Sequence, residues 1–173
     1  MKQRCLCSCV DDVSALGFGC MRFPEKEGQI DREESSRMLD LAFDRGVNYF
    51  DTAWPYHGGE SEEFIGEYLQ ERGIRDSIYL ASKMPCWMVK EREDFDYYLN
   101  EQLKRLKTDR IDFYLLHALD GKRWQQMLEL DVLGWLEEKR REGKIRFLTM
   151  SDQPSGLSSP TMSGISARFS TTI

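Results

Sequence analysis

The sequence predicts an α/β chain built on a parallel sheet, and three observations predict it. Four short apolar runs, Val47–Phe50, Ile78–Ala81, Ile111–Leu116 and Ile145–Leu148, begin at residues 47, 78, 111 and 145, an almost even spacing. Each is rich in β-branched or aromatic residues and has the unbroken apolar character of a strand covered on both faces. A helical pattern fills every gap between them, which is the βαβ repeat of a parallel sheet. Polar residues stand at the C-terminal ends of successive runs, and this third observation favours a barrel over a doubly wound open sheet, because a barrel turns all those ends toward one mouth. The expected architecture is a partial TIM-type (β/α) barrel of about four βα units plus a fifth strand.

The elements follow in order. Val13–Met21 fits a first strand, with Gly17 and Gly19 near its end. Asp31-Arg32-Glu33-Glu34 has capping-box spacing, in which a side-chain acceptor and a reaching carboxylate satisfy the first orphan amides of a helix. Met38, Leu41 and Ala42 give that helix an apolar face, and Gly46 a stop. After the strand Val47–Phe50, Ser61 opens a second helix with Phe64, Ile65, Tyr68 and Leu69 inward and Gly73 at its end. Beyond Ile78–Ala81, the residues Phe95, Leu99, Leu103 and Leu106 recur at helical spacing. Lys104, Arg105 and Lys107 suit the negative end of that helix's dipole. A fourth helix, after Ile111–Leu116, runs through Leu133 and Leu136 to Gly143, with Glu137, Glu138, Lys139 and Arg140 on its solvent face.

This unit occupies residues 13–151. Residues 1–12 form an atypical opening with cysteines at 5, 7 and 9. Residues 152–173 are rich in Ser and Thr, without strand or helix periodicity, and are expected to be a disordered tail. A net charge of −6 argues against nucleic acid or an anionic membrane as partner. No apolar run approaches the roughly 20 residues of a membrane span, and no secretory leader is evident, so the cytoplasm is the default location. The five cysteines do not read as a disulfide framework, and Cys5-Leu6-Cys7-Ser8-Cys9 lacks the C-x-x-C spacing of structural zinc; no metal is expected.

The chemistry gathers at the strand ends. Asp51 closes the second strand and Tyr56 lies in the loop after it; Lys83 closes the third and His117 the fourth. Singly, each has a plain reading: an aspartate that caps a loop, a structural histidine, a lysine that snorkels outward. Converging on one barrel mouth, they make a set. A protonated Lys83 beside Tyr56 stabilises the phenolate, Asp51 offsets the cost of a buried ammonium, and His117 can donate to a substrate oxygen. Such a set suits a general acid that protonates a carbonyl oxygen as hydride reaches the carbon.

Leu16-Gly17-Phe18-Gly19, Gly46 through Ala53, Tyr56 through Glu62, Ser82-Lys83 and Asp112 through His117 together resemble the aldo-keto reductases, over roughly Val13 to Ser151. The resemblance implies a barrel and NADPH, or less often NADH, as hydride source. It assigns Tyr56 as proton donor, tuned by Asp51 and Lys83, with His117 orienting a small-molecule aldehyde or ketone. Gly19, Cys20, Met21, Asp51 and Ser151 fall to the cofactor. Thr149-Met150-Ser151 stands where the family shows glycine, one residue, then serine. Gly17-Phe18-Gly19 runs on to Pro24 and not into a helix, so it is no Rossmann fingerprint. Trp54 and Trp87, in loops at the mouth, are candidates for an apolar substrate wall, and His57 for either a substrate contact or a solvent neighbour. Residues 1–12 lack the family's glycine-containing hairpin and carry the cysteine run instead. The family's barrel has eight units, so a second expectation is a catalytically inactive fragment lacking the cofactor-binding half, with open sheet edges as a route to self-association.

Overall fold

The computed structural model describes residues 3–4 and 12–150. The opening strands Gln3–Arg4 (β1) and Val13–Ser14 (β2) pair antiparallel. Phe18–Gly19 (β3) starts the main sheet. The strand expected over Val13–Met21 is therefore two strands in two sheets. They are separated at Leu16-Gly17, where Gly17 passes so close to the Tyr49 ring that a Cβ would lie 2.8 Å from it. Glu25–Lys26 (β4) and Gln29–Ile30 (β5) form a hairpin whose turn residues, Glu27 and Gly28, both have positive φ, 56° and 80°. That is the geometry whose twist suits a two-residue connection.

The remaining elements alternate: Arg32–Asp44 (α1), Tyr49–Asp51 (β6), Glu60–Arg72 (α2), Tyr79–Met84 (β7), Glu93–Arg105 (α3), Ile111–Leu116 (β8), Gly121–Glu129 (α4), Val132–Arg141 (α5) and Ile145–Met150 (β9). The main sheet has the order β3-β6-β7-β8-β9, and every neighbouring pair is parallel. Each strand joins beside its predecessor and the order never reverses. A doubly wound sheet needs such a reversal, so the partial barrel is the architecture present.

Strand alternation divides the core. Phe50, Leu80, Met84, Tyr114 and Leu116 face the helices, where they meet Leu39, Ile65, Leu99 and Trp135. Tyr49, Ala81, Phe113, Leu115 and Phe147 face the barrel interior. Asp51 and Lys83 share the interior parity at the strand ends. At the other end of the sheet, buried Asp112 accepts from the Leu80 N–H at 3.0 Å and Arg146 at 3.0 Å, and pairs with Arg75 at 2.8 Å. One carboxylate thus ties β7, β8 and β9 together.

Asp31 caps α1 as expected, accepting from the Glu34 N–H at 3.1 Å. The inward face of that helix is Ser35 and Leu39, however, and Leu41 is 58% exposed. In α2, Ser61 lies inside the first turn and Gly59 holds the cap position. The single helix expected between β8 and β9 is two. Asp131, at φ 56°, breaks the run, and its carboxylate caps α5 by accepting from the Gly134 N–H at 3.3 Å. Lys139, expected at the solvent face, is buried against Asp96 on α3, 2.9 Å away, with Glu142 also at 2.9 Å. Leaving water disfavours its charge, but the hydrogen bonds to these carboxylates win and push its pKa up.

α2 crosses the end of α3 at Gly66, where a Cβ would lie 2.3 Å from the Arg105 carbonyl oxygen and 2.8 Å from the Leu106 Cα. Both obstacles are backbone and cannot rotate aside. Gly66→Ala is expected to destabilise the fold by about 1–3 kcal/mol through overpacking, read as a lower midpoint in urea.

Candidate active site

β6, β7 and β8 end side by side, with Asp51 opposite Ala81 and Ala81 opposite Phe113. Lys83, two residues past Ala81, therefore reaches back over Asp51. Its ammonium has three protons and finds three acceptors: Asp51 Oδ1 at 2.5 Å, the Thr52 carbonyl at 2.8 Å and the Tyr56 hydroxyl at 3.1 Å. The Nζ also lies 4.7 Å from the Tyr56 ring centroid. Lys83 is 5% exposed, so this charge is held inside the protein. Burial pushes the Asp51 carboxyl above its usual range, and the charge and hydrogen bond of Lys83 pull against that shift.

Tyr56 arrives on a kinked turn, Tyr56–Gly59, in which His57 and Gly58 are left-handed, and the Tyr56 N–H donates to the Ala53 carbonyl at 3.1 Å. His117 continues the β7–β8 ladder, its N–H donating to the Met84 carbonyl at 3.1 Å. Its ring stands edge-on to Tyr56, 6.1 Å between centroids, and Trp87 also meets it edge-on at 5.2 Å. Asp51, Tyr56, Lys83, His117 and Trp87 are thus brought together, and Trp87 keeps 41% exposure at the rim.

Other candidates go elsewhere. Trp54 packs toward α3: the Arg105 guanidinium covers its ring at 3.7 Å, and Tyr98 meets it edge-on at 5.0 Å. His57 has no ring nitrogen to spare for substrate. Its Nε2 accepts from the Phe23 N–H at 3.1 Å, and its Nδ1 lies 2.8 Å from Glu25 Oε1. Cys20 places its side chain wholly in the core, where burial pushes the thiol up, and only its backbone serves the site. The Cys20 N–H donates to the Asp51 carbonyl at 2.8 Å, and its own carbonyl accepts from Ser61 Oγ at 3.0 Å. Gly19, in register with Asp51, and Met21, 54% exposed, remain open to a ligand. Ser151 lies outside the described residues, as do Cys5, Cys7 and Cys9.

The sequence profile of the aldo/keto reductase family matches residues 15–157. The chain belongs to that family. It is 31% identical over 151 residues to the aldo-keto reductase yakc of Schizosaccharomyces pombe, whose name carries NADP(+), covering 82% of this chain and 43% of that protein. An aldo-keto reductase from Bacillus halodurans, solved in its holo form, superposes with a TM-score of 0.72 at 32% identity, over 87% of this chain and 50% of that one. One from Klebsiella pneumoniae, solved in complex with NADPH, gives 0.68 at 31% identity, over 83% and 47%. This aldo/keto reductase chain spans less than half the length of the curated relatives it matches.

Behind the catalytic candidates of the aldo/keto reductase chain lies a buried polar network that was not anticipated as part of the site. Glu62 Oε1 accepts from Ser82 Oγ at 2.6 Å and from Gln102 Nε2 at 2.7 Å. Gln102 Nε2 also reaches the Lys83 carbonyl at 3.1 Å, while its Oε1 accepts from the Tyr114 hydroxyl at 2.6 Å. Burial pushes the Glu62 carboxyl up, opposed by Ser82 and Gln102. The network joins α2, α3, β7 and β8 and grips the main chain of Lys83. One signal for it was Gln102, a polar residue three positions after Leu99 on the apolar face of its helix.

Proposed function

We propose that the chain carries the catalytic core of an NADP(H)-dependent reductase of aldehydes or ketones. The observation that carries this reading is the Lys83 ammonium, whose third proton points at the Tyr56 hydroxyl 3.1 Å away. A nicotinamide fits at the β3 end, where Gly19 and Met21 are exposed beside Asp51 and a Cβ on Gly19 would meet nothing within 4 Å. Gly19 and Met21 would hold it there, and when bound in reduced form it supplies the hydride.

Tyr56 gives its hydroxyl proton to the carbonyl oxygen as the carbon is reduced, so the substrate leaves as an alcohol. The phenolate left behind faces the Lys83 ammonium, which stabilises it electrostatically without moving. Asp51, at 2.5 Å from the same ammonium, keeps that charge tolerable in a buried place. His117, edge-on to Tyr56, orients the carbonyl oxygen, and Trp87 offers an apolar rim to the substrate.

Titrating the purified chain with NADPH, followed by cofactor fluorescence and then by aldehyde reduction, tests the reading. Saturable binding and turnover are expected. A folded chain that neither binds nor reduces would sink the proposal and leave the inactive-fragment reading in its place.

A further inference from the structure

His57 follows Tyr56 directly, and its backbone sits in the left-handed region at φ 52°, ψ 46°. A residue with a Cβ costs roughly 1–2 kcal/mol there. Glycine would adopt this backbone freely, as Gly58 and Gly59 do at φ 64° and 104°. The backbone alone therefore does not account for an imidazole at 57. The ring's contacts do.

Nε2 accepts from the Phe23 N–H at 3.1 Å, so it is bare, and the ring proton sits on Nδ1, which donates to Glu25 Oε1 at 2.8 Å. The imidazole is 6% exposed. Phe23 in turn stacks near the ring, 5.8 Å between centroids, and meets Phe64 of α2 edge-on at 5.0 Å. The His57 ring is thereby anchored to the segment leading into β4 and, through Phe23, to α2. Its main chain carries Tyr56 one residue away. The Tyr56 N–H bond to Ala53 stays within the same loop and cannot fix that loop to the rest of the fold.

We propose that His57 is a positioning residue: by clamping the Tyr56–Gly59 turn to Phe23 and Glu25, it holds the Tyr56 hydroxyl on Lys83. The inference rests on Tyr56 being the proton donor. A strained backbone maintained by its surroundings is the form such positioning takes, and misplacing a reacting group by about 1 Å costs on the order of 100-fold.

The test pairs His57→Gly with His57→Gln. His57→Gly keeps the turn accessible and loses the clamp; kcat falls by about 10–100-fold with the cofactor KM unchanged. His57→Gln offers an amide oxygen to the Phe23 N–H and recovers most of the loss. Alongside, hydrogen exchange of the Phe23 amide and the ¹³C signal of the hydroxyl-bearing carbon of Tyr56, identified with Tyr56→Phe, are followed by NMR. In His57→Gly the amide loses protection and the Tyr56 signal moves. Parental turnover in His57→Gly, or an unmoved Tyr56 signal, overturns the proposal. If the parent chain itself shows no turnover, the functional reading has failed, and the two NMR signals decide the clamp by themselves. Should His57→Gly not fold, the ¹⁵N signals of the parent's His57 decide: a bare Nε2 upholds the clamp, and a protonated one overturns it.

Discussion

Tyr56→Phe is expected to lower kcat for carbonyl reduction by about 10²–10⁴-fold, the usual contribution of a positioned general acid, while the chain still folds with a smaller loss of stability. The asymmetry comes from what the hydroxyl does. Phenylalanine keeps the ring that stands edge-on to His117 and 4.7 Å from the Lys83 Nζ. Lys83 retains Asp51 and the Thr52 carbonyl as acceptors. One hydrogen bond from a charged donor is lost, worth about 1.5–3 kcal/mol, and a thermal melt registers only that. The NADPH titration is expected to match the parent's, because the hydroxyl is aimed at the substrate carbonyl. Undiminished turnover would move the proton donor elsewhere, with His117 the next candidate at the same mouth.

Asp51 and Lys83 were legible in sequence because a parallel ladder is nearly arithmetic. Once the strands are placed, their ends lie side by side, and parity decides which residues point inward. His117 followed for the same reason. The strand–helix order of the barrel was legible likewise, since each unit announces itself through local periodicity. The helix faces were read less well. The run around Met38 and Leu41 fits two faces, and only the sheet beneath selects Leu39. The contacts of His57 were out of reach, because Phe23 and Glu25 lie in and just before a hairpin whose short strands leave almost no pattern. The packing of Trp54 was out of reach for a related reason: a loop aromatic can turn toward the mouth or toward a helix, and Arg105 on α3 provides a surface for it. Gln102 could be flagged as a polar residue on an apolar face, but its partners Glu62, Tyr114 and the Lys83 carbonyl lie on three other elements.

Removing either member of the Asp51–Lys83 pair is expected to harm both stability and turnover, and removing both is expected to separate the two effects. Lys83→Met leaves the Asp51 carboxylate in its buried place without the ammonium. Breaking a buried pair from one side costs about 3–5 kcal/mol. Part of that loss depends on pH, and its sign follows from the folded state. Burial already pushes the Asp51 carboxyl up, and Lys83 is what opposes the shift. Without Lys83 the folded value rises further above the unfolded one. Stability is then fully present below the unfolded carboxylate range, near pH 4, and falls as pH rises toward the folded value, by about 1.4 kcal/mol for each unit of separation. Urea melts at pH 4 and pH 8 should therefore show a smaller deficit for Lys83→Met at the acid end. Asp51→Asn in the Lys83→Met background removes the stranded carboxylate, so the double variant recovers much of the stability and most of the pH dependence vanishes. Turnover does not return, because no ammonium then faces the phenolate. A double variant as unstable as Lys83→Met would mean that the cost lies in packing around the lysine stem and not in the stranded charge. Restored turnover in that variant would remove Lys83 from the proposed chemistry altogether.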